Sequence, residues 1–197
     1  MHRFQISPNS IKEGYAVLNA EESHHALSVL RVKPGETVQL LDGRGGSFQG
    51  IVATAEKGCV KIAVREPSQP LAQNSVAMTL AVSVIKPERM ELLIQKACEL
   101  GVHSIIPLIT EHTVVRLSSE RWASKIQRWK KIAAESCKQC GQPRTPEIQD
   151  ICEFKKFIGY FSSYELVLIP ALSVPVQSLY HSLNLNKSAQ STINPGG

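Results

Sequence analysis

Hydrophobic positions change their period partway along the chain. Over the first 65 or so residues they form short strand-like pieces, Phe4–Ile6, Tyr15–Leu18, Thr37–Leu41, Phe48–Thr54 and Cys59–Val64. Pro34-Gly35, Asp42-Gly43 with Gly45-Gly46, and Lys57-Gly58 break these pieces, as turn residues do. Short strands with tight turns predict a small β barrel, and Glu21 to Leu30 reads as one helix within it. The next stretch, EPSQPLAQNS from Glu66 to Ser75, holds two prolines and no period, and marks a domain boundary.

Beyond it the alternation becomes strand and helix. Val76 to Ile85 is a long apolar strand, followed by a helix whose Met90, Leu93, Ile94 and Ala97 recur at three-and-four spacing. Glu88, Arg89, Gln95, Lys96 and Glu99 take its wet side, and Gly101 stops it. Val102 to Ile109 is a buried strand ending in Thr110, Glu111 and His112, a polar cluster of the kind that ligands meet at strand carboxyl ends. A second amphipathic helix, about Glu120 to Cys140, carries the stripe Trp122, Ile126, Trp129, Ala133, Cys137. Pro146–Ile148, Glu153–Phe161, Leu166–Ile169 and a short helix over Val176–Leu183 continue a mainly parallel sheet covered by helices, an α/β class.

With 197 residues, 43% of them hydrophobic, the chain can bury a sizeable core. The opening MHRFQISPNS has no apolar run and no stretch of about 18 apolar residues occurs, so a cytoplasmic protein without membrane association is expected. Five scattered cysteines fit reduced thiols. The net charge of +5 is concentrated: from Arg116 to Arg144, eight Lys or Arg stand against Glu120 and Glu135, giving +6 there and −1 for the remainder. This is either a face for a polyanion, which cations bind by displacing counterions, or a solvated helix surface.

Cys137-Lys138-Gln139-Cys140 has no second pair and no neighbouring histidine, so it reads as core and helix-end residues and no metal is expected. DGRGG lacks a P-loop lysine and reads as a hairpin turn. QCGQPRTPEI, from Gln139 to Ile148, leaves a basic helix through Gly141 and Pro143 and presents Arg144 on a rigid turn, suited to a forked phosphate contact or a base stack.

Six pieces in order resemble the RsmE family of SPOUT-class RNA methyltransferases: MHRF at the start, HALSVLRVKPGE from His25, LDG at Leu41, KPERMELLIQKACELGV from Lys86, IPLITEHTVVRL from Ile106, and QCGQPRTPEI. The resemblance implies a PUA-like RNA-binding barrel over 1–70 and a SPOUT domain with a trefoil knot over 76–197. It further implies S-adenosylmethionine as donor, N3 of a uridine in 16S ribosomal RNA of the small subunit as target, and a homodimer. Donor contacts would come from Ile169, Pro170 and Ala171 in a first knot loop and from Ile193, Pro195, Gly196 and Gly197, where INPGG resembles a shortened IGPEGG loop. No LGxRILRxETA stretch follows it, so a partial donor site is expected.

Removal of the uridine imide proton needs a base or a cation that stabilises the anion. Arg144 is the candidate for the cation, with Glu111 as base or as the group orienting it, and Lys86 close by. Arg3, His25, Arg31 and Arg116 would dock RNA. Two departures from the family pattern bear on this reading: His112 stands where arginine is usual, and Lys138 and Gln142 flank Gln139 and Gly141. A non-catalytic RNA-binding remnant, unable to hold the donor, is the alternative, and a protein adaptor a weaker one.

Overall fold

The structure is a computed structural model and describes residues 1–7, 9–56, 58–67, 76–113 and 118–170. It divides into two compact units, Met1–Phe154 and Lys155–Gly197. The first holds two sheets.

The amino-terminal sheet has six strands, β1 (His2–Gln5), β2 (Ile11–Lys12), β3 (Tyr15–Val17), β4 (Thr37–Leu41), β5 (Ser47–Glu56) and β6 (Cys59–Pro67), hydrogen-bonded in the order β1-β4-β5-β6-β3-β2. Only β1 and β4 run parallel. Alternation puts Phe4, Ala16, Val38, Leu40, Val52, Val60 and Ile62 into one core. Gly50 meets the side chain of Ile62 across the β5–β6 pairing, leaving no room for a Cβ. This is the small β domain that the turn-punctuated strands predict, in the place where the family resemblance implies a PUA-like barrel.

The expected single helix over 21–30 has a different interior. α1 (Ala20–His24) starts at Asn19, whose side chain accepts the Glu22 N–H at 2.8 Å. It then widens into a π-helix over His25–Leu30, ended by Arg31 in the left-handed region at φ 53°. The wider turn lets Ala26 and Val32 both reach the barrel core, with the Val32 N–H donating to the Ala26 carbonyl.

The second sheet is parallel. β7 (Thr79–Ser83) pairs with β8 (Ser104–Ile109), whose other side takes β9 (Glu147–Ile148) near its amino end and β10 (Cys152–Glu153) near its carboxyl end. The long strand expected over Val76–Ile85 thus shortens to five residues, with Val76 and Met78 exposed before it. α2 (Pro87–Glu99) opens with Pro87 in its first turn, and α3 (Ser119–Cys140) ends at Gly141 with φ 82°. Met90, Ile94, Ala97 and Cys98 of α2 pack with Trp122, Ile126, Trp129, Ala133 and Cys137 of α3 over Ile105 and Ile148. Both predicted helical stripes are therefore the core faces, Leu93 being half-buried beside them.

Between the two sheets the contacts are polar. Lys138 Nζ reaches Glu22 Oε1 at 2.9 Å and Lys131 Nζ reaches Glu21 Oε1 at 3.0 Å, tying α3 to α1. In the second unit, α4 (Phe154–Ile158) carries Phe157, which meets the rings of Phe161 and Tyr164 edge-on. Leu166–Ile169, expected as a strand, pairs with no neighbour and is exposed. A strand exists only through its partners, and among the described residues none lies beside it. Val176–Leu183 lies outside the described residues.

Candidate active site and nucleic-acid interface

At the carboxyl end of the parallel sheet, the last residue of β7 and the turn after β8 share hydroxyls. Ser83 Oγ lies 3.1 Å from Thr110 Oγ1 and 3.2 Å from Thr113 Oγ1, and Thr113 Oγ1 also accepts the Thr110 N–H at 2.8 Å. This closed network holds the Thr110–Thr113 turn against β7, with Thr113 buried and Glu111 and His112 exposed at its tip. Lys86 is exposed three residues beyond Ser83, at the start of α2. Lys86 and Glu111 therefore rise from neighbouring strand ends, leaving an acid and a cation on the side where open α/β sheets hold ligands.

Arg144 is elsewhere. Because β9 pairs with Ser104 and Ile105, the turn that precedes it sits at the amino end of β8. The length of β8, about 17 Å at ~3.3 Å per residue, separates it from Glu111. Within one chain Glu111 does not orient Arg144, and the single catalytic constellation expected from the sequence is corrected to two separate places.

What Arg144 does meet is the barrel. The DGRGG turn between β4 and β5 forms bridge pairs Gly43–Arg144 and Arg44–Arg144, with Gly45 N–H donating to the Pro143 carbonyl and Thr145 N–H to the Gly43 carbonyl, both at 3.0 Å. Asp42 Oδ1 fixes the turn from inside, accepting the N–H groups of Arg44 and Gly46 at 2.8 and 2.7 Å. Arg3 extends the same seam: its Nε donates to Gln39 Oε1 at 3.0 Å and its Nη1 to the Gln139 carbonyl at 2.7 Å, beside Gly141. Two of its donors are thus spent on structure. Arg44 is an unexpected member of this seam, and its signal in the sequence is an arginine inside a turn that glycines otherwise dominate.

The basic segment is partly neutralised. Arg128 makes a forked pair with Glu91 at 2.6 and 3.1 Å, and that hydrogen bond holds the Glu91 carboxyl below its ordinary range. Lys131 and Lys138 face Glu21 and Glu22. Arg121 and Lys130 are exposed, so the cationic face is narrower than its residue count suggests. His25 is half-buried at the start of the π-helix and Arg31 is exposed at its end. Arg116 lies outside the described residues.

Cys137 is buried in the core and its thiol donates to the Arg144 carbonyl at 3.5 Å, whereas Cys140 is exposed at the helix end. Cys98, beside Cys137 across the helix interface, has its thiol pushed up by hydrogen bonding to Cys137 and then by burial. No group of three or more metal-ligating side chains gathers among the described residues. Of the residues expected at the methyl donor, Ile169 and Pro170 are exposed and outside any strand. Ala171, Ile193, Pro195, Gly196 and Gly197 lie outside the described residues.

Comparison with known proteins agrees with both sheets. A family described as an RNA methyltransferase domain matches residues 72–193, and one described as an RNA methyltransferase PUA domain matches residues 18–64. Ribosomal RNA small subunit methyltransferase E of Bacillus subtilis is 25% identical over 152 residues, covering 77% of this chain and 59% of the relative. The Synechocystis protein of that name is 25% identical over 182 residues, covering 91% of this chain and 58% of the relative. The chain thus spans about three-fifths of the length of these curated relatives. Among solved structures, a protein of Legionella pneumophila described as a methyltransferase in complex with the bound cofactor SAM superposes with TM-score 0.75 at 30% identity, covering 89% of this chain and 75% of that one. A ribosomal RNA small subunit methyltransferase E from Neisseria gonorrhoeae, bound to S-adenosyl methionine, gives 0.70 at 31%, covering 80% of this chain and 65% of that one. With a family match over more than half its length, and a PUA-like sheet preceding a parallel one as those motifs require, the chain belongs to the RsmE family of RNA methyltransferases.

Proposed function

We propose that this protein methylates N3 of a uridine in 16S ribosomal RNA, with S-adenosylmethionine as donor, acting on the small subunit as a cytoplasmic homodimer whose barrel domain spans 1–70 and whose methyltransferase domain spans 76–197. The observation that carries the reading is that Lys86 and Glu111, both exposed, follow two neighbouring strands at the carboxyl end of a parallel sheet, in a chain with family matches on both sides of its boundary. The donor, when bound, supplies an electrophilic methyl group. Glu111 takes the imide proton of the uracil, and the Lys86 ammonium stabilises the charge left on the ring oxygens. The hydroxyl network of Ser83, Thr110 and Thr113 keeps the Glu111 turn in place for this, so Ser83 and Thr113 are positioning residues. Arg31, Arg116 and the exposed cations of α3 contact phosphates, and Arg3 contributes by holding the seam. The exposed run Leu166–Ile169 supports a partner surface for the homodimer.

The test is incubation of the chain with S-adenosylmethionine and small-subunit RNA, followed by nucleoside digestion. Formation of 3-methyluridine is the expected outcome. A second reading is an RNA-binding remnant without catalysis, favoured by the exposure of Ile169 and Pro170, which the first reading assigns to the donor. Calorimetry separates the two: no heat with S-adenosylmethionine, while RNA still binds, would leave only the remnant.

A further inference from the structure

Arg44 and Arg144 oppose each other in an antiparallel bridge, each on a turn fixed by its own hydrogen bonds. Directly opposed residues of such a pair send their side chains to one face, with Cβ atoms roughly 5 Å apart. Both side chains are exposed, and neither forms an ion pair among the described residues. The nearest carboxylate in sequence, Asp42, has one oxygen committed to the N–H groups of Arg44 and Gly46. Gly45 leaves space that the Arg144 guanidinium borders: a Cβ there would stand 3.5 Å from Arg144 Nη2, and the φ of +110° already excludes most side chains. The Gly45 N–H is also taken, by the Pro143 carbonyl. The turn therefore has no backbone donors at these positions to offer an anion, and the two guanidinium forks remain.

Two like charges on one face are best stabilised by a shared anion whose oxygens match their forks, as a phosphodiester does. We propose that Arg44 of the barrel and Arg144 of the second sheet jointly grip one phosphodiester of the RNA. The clamp forms across the seam, so a single backbone phosphate reports that both sheets are in register with each other. It rests on the proposed RNA-binding function and adds to it a site at the sheet end opposite Glu111 and Lys86.

The test is equilibrium binding of the full chain to a small-subunit RNA fragment across a salt series, for the wild type, Arg44→Ala, Arg144→Ala and the double variant, with thermal melting to confirm folding. Each single variant is expected to bind about tenfold more weakly. The double variant should be no more than about threefold weaker than either, because both singles break one shared contact. Its slope of log affinity against log salt should fall by one phosphate, about 0.7 to 0.9. Losses that multiply, with a slope change twice as large, overturn the shared clamp in favour of two separate contacts. Unchanged affinity and slope overturn it outright while the RNA-binding reading stands. No binding by the wild type overturns both. If Arg144→Ala fails to fold, Arg144→Lys carries the test: the clamp predicts weaker binding with the wild-type slope, and unweakened binding contradicts it.

Discussion

Glu22 is only 7% exposed, and of its two oxygens one accepts from Lys138 Nζ while the other, Oε2, is buried with no hydrogen-bond partner among the described residues. Removing Lys138 would strand that carboxylate, so Lys138→Met should cost about 3 kcal/mol in urea unfolding, and adding Glu22→Gln should return part of it. The lysine also titrates in a defined direction. Burial opposes its charge, but hydrogen bonds and attraction from Glu22 and then Glu135 outweigh it and raise its value above that of a free lysine. A group raised on folding contributes stability below its unfolded value, about 10.4, and loses it as pH climbs through the folded one. Thermal melts from pH 8 to 11 should show a decline above about pH 10 that Lys138→Met lacks. Gly141 is a second sensitive position: it has φ 82°, and a Cβ would stand 3.1 Å from the Arg3 guanidinium carbon. Gly141→Ala should lose about 1 to 2 kcal/mol by the same assay.

Among the elements, those defined by their own periodicity were legible and those defined by neighbours were not. α2 and α3 match their stripes because burial of an amphipathic helix is written in its own residues. Trp129→Ala, in the centre of that interface, should cost about 3 to 5 kcal/mol in denaturant unfolding. The π-helix is different: its extra residue per turn answers the separate demands of Ala26 and Val32 on the barrel core, which no local pattern records. It ends on Arg31, a non-glycine residue at φ 53°. Arg31→Gly relieves that conformation but frees the unfolded chain, two effects of similar size, so stability should stay within about 0.5 kcal/mol. RNA affinity should fall nonetheless, as gel-shift titration would reveal. Leu166–Ile169 shows the converse, a strand-like run with no strand to join among the described residues.

At the scale of the whole molecule, the parallel sheet has two ends with different chemistry. Thr110–His112 was readable as a strand end, since a β-branched run that stops in polar residues marks its own terminus. The distance to Arg144 was not, because it depends on β9 pairing at Ser104 rather than farther along β8. Glu111 and Lys86 thus stand at the carboxyl end, and Arg144 joins Arg44 and Arg3 where the barrel abuts α3. General-base loss typically lowers rates at least a hundredfold, and Glu111→Gln should do so with RNA affinity unchanged. N3 methylation is tested most directly by supplying isotopically labelled S-adenosylmethionine with small-subunit RNA and identifying the labelled nucleoside. Label is expected in 3-methyluridine at a single position, strongly reduced in Glu111→Gln. Label in another nucleoside, or undiminished label in Glu111→Gln, would contradict it.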